Sequence, residues 1–372
     1  MKKHLCLIIL ISLNALFVSA QDAASYFNSG VQKYKNGFFV DAILDFNKAV
    51  AQKADYPEAY YYKALSLNSI NNFTEAVTNL NLAIRYNHTN TEFYTNRAIT
   101  YSNLNKNKEA ANDCDTAIML SEKNYHAYFT RGYSKYQLKD DKGAIDDYTK
   151  AIGINENYAD AYYNRGLAYR KTSDFMLAVA DFTRVTELSP KDYQAYVNRG
   201  LTYSNLKKFP EALANYNKAI EMKPDYANVY YNKGYTEFNM KDFTGAEADY
   251  TKAITLRADY LDAYYNRGLT RYEMKKFDDA ITDYSFVLEK NPKDYETYLN
   301  RGLCKDKQQK YQEAINDYSK AIEINPDYAK AYTNRGLGKY NTDDIPGACA
   351  DWKKGMELGS KIAESNYTQF CK

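Results

Sequence analysis

The chain has 372 residues, of which 45% are apolar and 26% are charged, a balance that excludes a wholly disordered or collagen-like protein. Lysine and arginine total 49 against 47 aspartate and glutamate residues, so the charge provides no overall attraction to nucleic acid or to an anionic membrane. Tyrosine is unusually frequent at 40 residues, whereas histidine occurs 3 times, too rarely for most histidine-based metal sites.

The first twenty residues have the pattern of a secretory signal peptide. Two lysines precede an apolar run that ends at Val18, and Val18 and Ala20 supply the small residues that signal peptidase prefers. The run is shorter than the roughly 20 apolar residues that a transmembrane helix needs. The alternative interpretation is an uncleaved membrane anchor. We predict that residues 1–20 are cleaved, that the mature chain starts near Gln21 without membrane insertion, and that it is exported to an oxidising compartment.

A single 34-residue unit then recurs ten times without insertion or deletion. The triplet Asn-Arg-Gly, as at Asn164, marks the register and returns, with variants, every 34 residues. We call the units repeats 1 to 10 and number the positions of each repeat from 1 to 34. The predicted array covers residues 21–362, with repeats 23–56, 57–90, 91–124, 125–158, 159–192, 193–226, 227–260, 261–294, 295–328 and 329–362, and residues 363–372 form a C-terminal cap.

Each repeat predicts two amphipathic helices. In repeat 5, Tyr162, Gly166 and Tyr169 are spaced i, i+4, i+7, and apolar residues from Phe175 to Leu188 follow the same helical period. A short polar turn separates the halves, and Pro190 ends the second helix because it has no N–H group. The predicted fold class is therefore all-α, a stack of helix-turn-helix repeats.

Three positions carry a resemblance to a known family. Position 4 is Tyr in all ten repeats, position 20 is Ala in all ten, and position 8 is Gly in eight and Ala in the other two. The chain resembles the tetratricopeptide repeat in this pattern, which covers about nine-tenths of its length. The resemblance implies an α-solenoid with a right-handed superhelical twist, a concave groove lined by the first helices, and a non-enzymatic role.

Charged residues at positions 7 and 23 depart from the generic pattern. Position 7 is Arg or Lys in nine repeats and position 23 is Asp in eight. Because paired helices run antiparallel, we predict an ion-pair ladder within the repeats, with bidentate arginines; the alternative is that both residues face solvent, where a pair adds little stability. Seven repeats carry both residues: Arg97/Asp113, Arg131/Asp147, Arg165/Asp181, Lys233/Asp249, Arg267/Asp283, Arg301/Asp317 and Arg335/Asp351.

The sequence contains no recognisable catalytic or cofactor-binding motif. Phosphate-binding, dinucleotide-binding and zinc-protease patterns are missing, and no long loop interrupts a repeat. We interpret the carboxylate pairs Asp146–Asp147 and Asp278–Asp279 as solvated, and His88 and His126 as structural residues. We therefore expect no enzyme activity, no metal and no cofactor.

The four cysteines that follow the leader divide into two groups. Cys114 and Cys304 fall within helices and are expected to be buried thiols. If the tail turns back at Ser360 as an antiparallel helix, Cys349 and Cys371 each lie eleven residues from the turn. Because both helices rise equally per residue, the two cysteines then lie side by side at the same height. We predict that they form a disulfide that locks a C-terminal cap; the alternative is two free cysteines on a frayed tail.

Partners of this family often lie against positions 2, 5, 9, 12 and 13 of the first helices, which the resemblance makes the candidate binding positions. No repeat has the Lys at position 5 and Asn at position 9 that the family's clamp for chaperone C-termini needs, which disfavours a co-chaperone role. The alternative is that many of the aromatic residues pack between repeats. The candidates are Phe129, Tyr133, Tyr136, Tyr163, Leu167, Arg170, Lys171, Tyr231, Tyr235, Phe238, Asn239, Tyr265, Leu269 and Tyr272.

The leading functional hypothesis is an exported scaffold, similar to tetratricopeptide proteins of the bacterial periplasm or cell envelope, with secretion as the alternative location. It would bind a protein or peptide, extended or helical, through tyrosine side chains that combine a large rigid surface with a polar tip. The alternative is a carbohydrate-binding envelope protein, because tyrosine and asparagine also hold sugars. A hydrolase hidden in the array is a third hypothesis.

Overall fold

The computed structural model describes residues 22–371, and within that range the chain forms helices and no strand. The predicted signal peptide lies outside the described residues. The chain divides after Pro190 into two compact units. The helices of unit 1 are α1 (22–35), α2 (Phe39–Gln52), α3 (Pro57–Ser69), α4 (Phe73–Tyr86), α5 (Thr91–Asn103), α6 (Asn107–Leu120), α7 (Tyr125–Gln137), α8 (Asp141–Ile154), α9 (Ala159–Lys171) and α10 (Phe175–Leu188). The helices of unit 2 are α11 (Tyr193–Asn205), α12 (Phe209–Met222), α13 (Ala227–Asn239), α14 (Phe243–Leu256), α15 (Leu261–Glu273), α16 (Phe277–Lys290), α17 (Tyr295–Lys307), α18 (Tyr311–Ile324), α19 (Ala329–Tyr340), α20 (Ile345–Glu357) and α21 (Lys361–Phe370).

The predicted all-α array of tandem helix pairs is confirmed. Each repeat contributes one odd-numbered first helix and one even-numbered second helix, and the two pack as an antiparallel pair. Position 15 makes the turn between them with a left-handed backbone, as at Gly37 (φ 82°) and Lys241 (φ 64°). Several second helices then start at an aspartate that caps them, as Asp242 does by accepting a hydrogen bond from the N–H of Gly245 at 3.0 Å.

Close approach of the two helices depends on positions 8, 20 and 24. The alanines at position 20 are fully buried, and a glycine at position 8 lies directly under the ring at position 24. A β-carbon added at Gly302 would lie 2.6 Å from the ring of Tyr318. The two repeats with alanine at position 8 carry a smaller partner, since Ala64 packs with Leu80, and Ala98 packs with Cys114. The sizes at positions 8 and 24 therefore complement each other within each repeat.

The predicted ion-pair ladder is confirmed in all seven repeats. In repeat 5, Arg165 donates from Nε to Oδ2 of Asp181 at 2.8 Å and from Nη2 to Oδ1 at 2.7 Å, a bidentate arrangement. Asp181 is only 4% exposed, so this pair is buried rather than solvated. The interpretation of Asp147 as a solvated carboxylate was wrong, because Arg131 holds it inside the same ladder, 3% exposed.

The ladder also joins neighbouring repeats. The third guanidinium nitrogen, Nη1, reaches position 25 of the preceding repeat, as from Arg165 to Oγ1 of Thr149 at 3.0 Å. In several repeats position 11 supplies a second cation to the aspartate, as Lys305 does to Asp317 at 2.9 Å. One arginine therefore ties its own two helices together and also fixes the register against the repeat before it.

Helix α21 covers the end of the last repeat. Its Ala363 is fully buried against Trp352, and Phe370 lies with its ring centroid 5.8 Å from that of Trp352. A disulfide joins Cys349 on α20 to Cys371 just after α21, with the two Cα atoms 5.6 Å apart. The apolar side of α21 thus shields the helix pair that has no following repeat.

Within each unit, adjacent first helices contact one another, as α3 contacts α5 and α13 contacts α15. Adjacent second helices of the described residues make no such contact. The first helices therefore lie on the inner side of the curve of each unit. We call the surface formed by positions 2, 5, 6, 9, 12 and 13 the first-helix face.

Candidate functional site

All fourteen candidate residues lie on the first-helix face, on helices α7 and α9 of unit 1 and α13 and α15 of unit 2. They differ in exposure. Tyr133 at position 9 is 37% exposed and Tyr235 at the same position is 47% exposed. Lys171 and Asn239 at position 13 are also exposed, and the other candidates are half-buried.

The aromatic residues at position 5 form the floor of the face rather than its surface. The ring of Phe129 packs 5.7 Å from that of Tyr148 and 5.0 Å from that of Tyr158. Tyr231 packs in the same way on Tyr250 and Tyr260, at 5.8 and 5.0 Å. Burial raises the pKa of the Tyr231 hydroxyl to about 12. These side chains therefore pack between structural elements, in agreement with the alternative interpretation that many of the aromatic candidates have a packing role.

The candidates at positions 12 and 13 make local contacts. Phe238 and Tyr272 each pack on the aromatic residue at position 17 of their own repeat. The Lys171 ammonium lies 4.8 Å from the ring centre of Tyr136, and it forms an ion pair with Asp141 at 2.7 Å. Positions 9 and 13 therefore offer more accessible surface than position 12.

An asparagine ladder at position 6 belongs to the same face and was missed from the sequence. The side-chain amide of Asn266 donates to the hydroxyl of Tyr231 at 3.1 Å and to the main-chain oxygen of Asp262 at 2.8 Å. Asn300 makes the same bond to the hydroxyl of Tyr265 at 2.9 Å. The signal in the sequence is the repeated Asn of the Asn-Arg-Gly triplet. Both side-chain N–H groups of Asn266 are thus occupied, and its carbonyl oxygen is the part of the amide left to accept a hydrogen bond.

Two polar pockets open on the first-helix face at equivalent positions of the repeat, one in each unit. Pocket A, about 420 Å³, lies between α3, α5 and α7, and its lining includes Tyr61, Glu92, Asn96, Asn124 and His126. Pocket B, about 270 Å³, is lined by residues of repeats 8 and 9, and all of them except Val287 occupy positions that also line pocket A. A shallower pocket of about 220 Å³ adjoins pocket A and contains two of the candidates, Phe129 and Tyr133.

The charge around pocket A is set by Glu92. Burial, followed by Glu92, raises the pKa of the Tyr61 hydroxyl, so this tyrosine is neutral. Burial lowers the pKa of His126, although Glu92 opposes that shift. His126 packs against the ring of Tyr125, with the two centroids 4.1 Å apart. The imidazole is therefore uncharged at neutral pH, and Glu92 is the dominant charge of the pocket.

Other reactive groups are enclosed by the helices. Cys114 and Cys304 are buried thiols, as predicted, and burial raises the pKa of Cys304 to about 12, which keeps it protonated. Residues 22–371 contain no group of three His, Cys, Asp or Glu side chains arranged to hold a metal ion. In the same part of the chain, no helix is both long enough and apolar enough to cross a bilayer.

Comparison with family models finds tetratricopeptide repeats along most of this array. Two models described as tetratricopeptide repeat match residues 159–192, 193–226, 261–294 and 295–328, and residues 91–124 and 227–260. A third, described as TPR repeat, matches residues 132–173. Together these matches span more than half of the chain.

Two solved structures of repeat proteins share this fold, and a third is more similar in sequence. The C-terminal part of a TPR repeat-containing protein from Cytophaga hutchinsonii has a TM-score of 0.52 at 20% identity, covering 64% of this chain and 97% of that chain. A tetratricopeptide repeat protein from Parabacteroides merdae has a TM-score of 0.50 at 18% identity, covering 67% and 99%. YrrB, a TPR protein with an unusual peptide-binding site, is 26% identical with a TM-score of 0.46, covering 50% and 97%. No curated protein sequence matches the chain.

Proposed function

We propose that this chain, which belongs to the tetratricopeptide-repeat family, is an exported, non-enzymatic scaffold that binds a protein or peptide along its first-helix face. The observation that carries the proposal is the pair of exposed tyrosines at position 9, Tyr133 and Tyr235, which stand above a floor of packed aromatic residues. An exposed aromatic side chain with two rotatable torsions loses little entropy when it is covered by a partner.

Rigidity of the floor supports binding without rearrangement. In repeats 3, 8 and 9 the asparagine at position 6 hydrogen-bonds the tyrosine at position 5 of the preceding repeat, as Asn266 does with Tyr231 at 3.1 Å. Side chains of neighbouring first helices are therefore fixed relative to each other before a partner arrives. A surface held in this way pays less ordering entropy on association, which favours an extended or helical segment laid across several repeats.

Binding can be tested with immobilised peptide libraries and the mature chain. The variant Tyr133→Ala with Tyr235→Ala removes the exposed tyrosines of the first-helix face without touching the buried floor. We expect it to lose affinity by about tenfold or more, the size typical of an aromatic contact residue. The control is Tyr86→Ala, an exposed tyrosine on the second helix α4.

Unchanged affinity in the double variant, together with lost affinity in Tyr86→Ala, would move the site to the second helices. A parallel glycan array examines the carbohydrate alternative. Tyrosine-dependent binding of glycans in the absence of any peptide binding would replace the protein-scaffold proposal with that alternative.

Export is the second part of the proposal. It rests on the leader pattern of residues 1–20 and is supported by the Cys349–Cys371 disulfide, since such bonds persist in oxidising compartments. The expected location is the periplasm or cell envelope, or the medium. N-terminal sequencing of the protein from a fractionated native host should give a chain that begins near Gln21. A full-length chain in the cytoplasmic fraction would overturn this part.

A further inference from the structure

Pocket A has a lining in which most of the side-chain hydrogen-bond donors are already used. The side-chain amide of Asn96 donates to the main-chain oxygen of Glu92 at 2.9 Å and to the hydroxyl of Tyr61 at 3.0 Å. The Tyr61 hydroxyl in turn donates to Oε2 of Glu92 at 3.4 Å. None of these three N–H and O–H groups remains available for a ligand.

The opposite wall of pocket A follows the same rule. Asn124 donates both amide hydrogens to threonine hydroxyls, to Thr91 and to Thr95, each at 2.9 Å. Those two hydroxyls donate to main-chain oxygens, that of Thr91 to α6 and that of Thr95 to the preceding turn of α5, also at 2.9 Å. The side-chain donors left on the lining are the hydroxyl of Ser121 and a ring N–H of His126.

The groups left to meet a ligand are mostly acceptors, and one of them carries a full charge. The carbonyl oxygen of Asn96 accepts no hydrogen bond from the described residues, and no lysine or arginine among residues 22–371 pairs with Glu92. A ligand that fits this lining must bring N–H donors and positive charge. A guanidinium offers five N–H donors in a planar fork, and an ammonium offers three.

Pocket B shows the same preference in unit 2, on different residues. It is lined by Asp262, Asp294 and Glu296, and no cation of the described residues forms an ion pair with them. Asp294 also caps α17, where its carboxylate accepts from the main-chain N–H and the hydroxyl of Thr297 at 3.1 and 2.7 Å, which leaves Asp262 and Glu296 to meet a ligand. Two pockets at one place in the repeat therefore share a negative lining.

We propose that pockets A and B each bind an arginine or lysine side chain of the partner, so that the partner segment is basic. The inference rests on the proposed function and names the chemistry of the partner. The exposed tyrosines supply contact area on the same face, and Glu92 and Glu296 select positive charge. An acidic segment is excluded from these pockets because it would place carboxylates against carboxylates and find few donors.

The test uses fluorescent heptapeptide pools with one fixed central residue among random neighbours, and the mature chain. The central residue is arginine, lysine, citrulline, norleucine or glutamate, and binding is followed by fluorescence anisotropy. Citrulline keeps the shape of arginine without its charge. We expect the arginine and lysine pools to bind about tenfold tighter than the citrulline and norleucine pools, as for a charge-assisted hydrogen bond.

The variant Glu92→Gln with Asp262→Asn and Glu296→Gln should remove this preference and leave the citrulline pool unaffected. The matched control is Glu109→Gln with Glu211→Gln and Glu313→Gln, which removes the same charge from exposed glutamates at position 19 of three second helices. Equal binding of all pools, or an arginine preference that survives in the pocket variant, would refute the inference and leave the scaffold proposal standing. Failure of every pool to bind would end the peptide-binding proposal itself.

Discussion

At the scale of single residues, the spacing of each helix pair is set by complementary sizes at positions 8 and 24. Gly302 lies under the ring of Tyr318, whereas Ala64 faces the smaller Leu80. Protein interiors are packed densely enough that one methyl group matters. The tight contact lets the helices approach and bury Ala314 completely between them.

We predict that Gly302→Ala destabilises repeat 9 by about 1–3 kcal/mol, since the clash outweighs the better helix propensity of alanine. Adding Tyr318→Leu should recover part of that loss, because the pair then matches Ala64 and Leu80. Gly153→Ala is the control, since no atom lies within 4 Å of its added β-carbon. Urea denaturation of the four proteins measures this. A Gly302→Ala protein as stable as the control would contradict the size rule.

Glu237 is a second residue whose surroundings predict an effect. It stands at position 11, where five of the other repeats have a lysine or an arginine, and it shares Lys233 with Asp249. Burial, then the hydrogen bond and charge of Asp249, raises the pKa of Glu237 to about 7. Folding therefore favours its protonated form, and this stability is present below the unfolded pKa and is lost as the pH rises through 7.

We predict that Glu237→Gln, which mimics the protonated acid, stabilises the protein by about 1–3 kcal/mol at pH 8 and by much less at pH 5. Thermal denaturation of both proteins across this pH range provides the measurement. The exposed Glu211→Gln should show no such trend. A stabilisation of the same size at both pH values would mean that Glu237 ionises normally.

At the scale of helices, the arginine ladder holds the two helices of a repeat together and connects neighbouring repeats. The repeats differ in how many cations pair with the buried aspartate. Asp181 has Arg165 as its ion-pair partner, whereas Asp317 is held by both Arg301 and Lys305. Even beside Arg165, burial leaves the pKa of Asp181 above its usual value. A buried carboxylate that loses its cation is costly, so the number of cations decides the effect of a mutation.

We predict that Arg165→Met costs about 3–5 kcal/mol and that Arg301→Met costs clearly less, because Lys305 remains on Asp317. Methionine keeps most of the volume of the arginine side chain in both variants. Hydrogen exchange of the amides in each repeat is the suitable measurement, since repeat arrays do not always unfold in one step. Equal losses at the two sites would contradict the role given to the second cation.

The sequence predicted these elements well because their determinants lie inside one repeat. Periodicity predicted the helices, a constant separation of sixteen residues predicted the Arg–Asp pairs, and the equal distance of Cys349 and Cys371 from Ser360 predicted the disulfide of the cap. It did not predict the third arginine contact, the bonds of Asn266 and Asn300, or the two pockets. Those features join residues of successive repeats, and they depend on how far each repeat rotates on its neighbour, which no single repeat encodes.

At the scale of the whole molecule, the stability of a repeat array is the sum of its repeats and their interfaces, and its ends have fewer interfaces. Helix α21 supplies the missing neighbour for α19 and α20. The Cys349–Cys371 disulfide closes a loop with a sequence separation of 22 around this cap. A covalent bond therefore holds the end of the array in addition to the packing of α21.

We predict that the intact mass of the purified mature protein rises by two hydrogen atoms on reduction. Cys349→Ala with Cys371→Ala should destabilise the last repeat by roughly 3 kcal/mol, with faster hydrogen exchange in α20 and α21 and little change in α13. Reductant should have no further effect on that variant. Equal exchange in the reduced and oxidised wild-type proteins would show that packing of Trp352 and Phe370 alone holds the cap.

The backward reach of each ladder arginine has an evolutionary consequence. Arg131 and Arg165 contact the residue sixteen places before them as well as the one sixteen places after. A recombination event that inserts or excises one whole 34-residue segment of the gene recreates the same set of neighbours at the new joint. An event of any other length leaves an arginine facing the wrong side chain. Tandem duplication can thus change the reach of such an array in fixed steps while every copy keeps its fold.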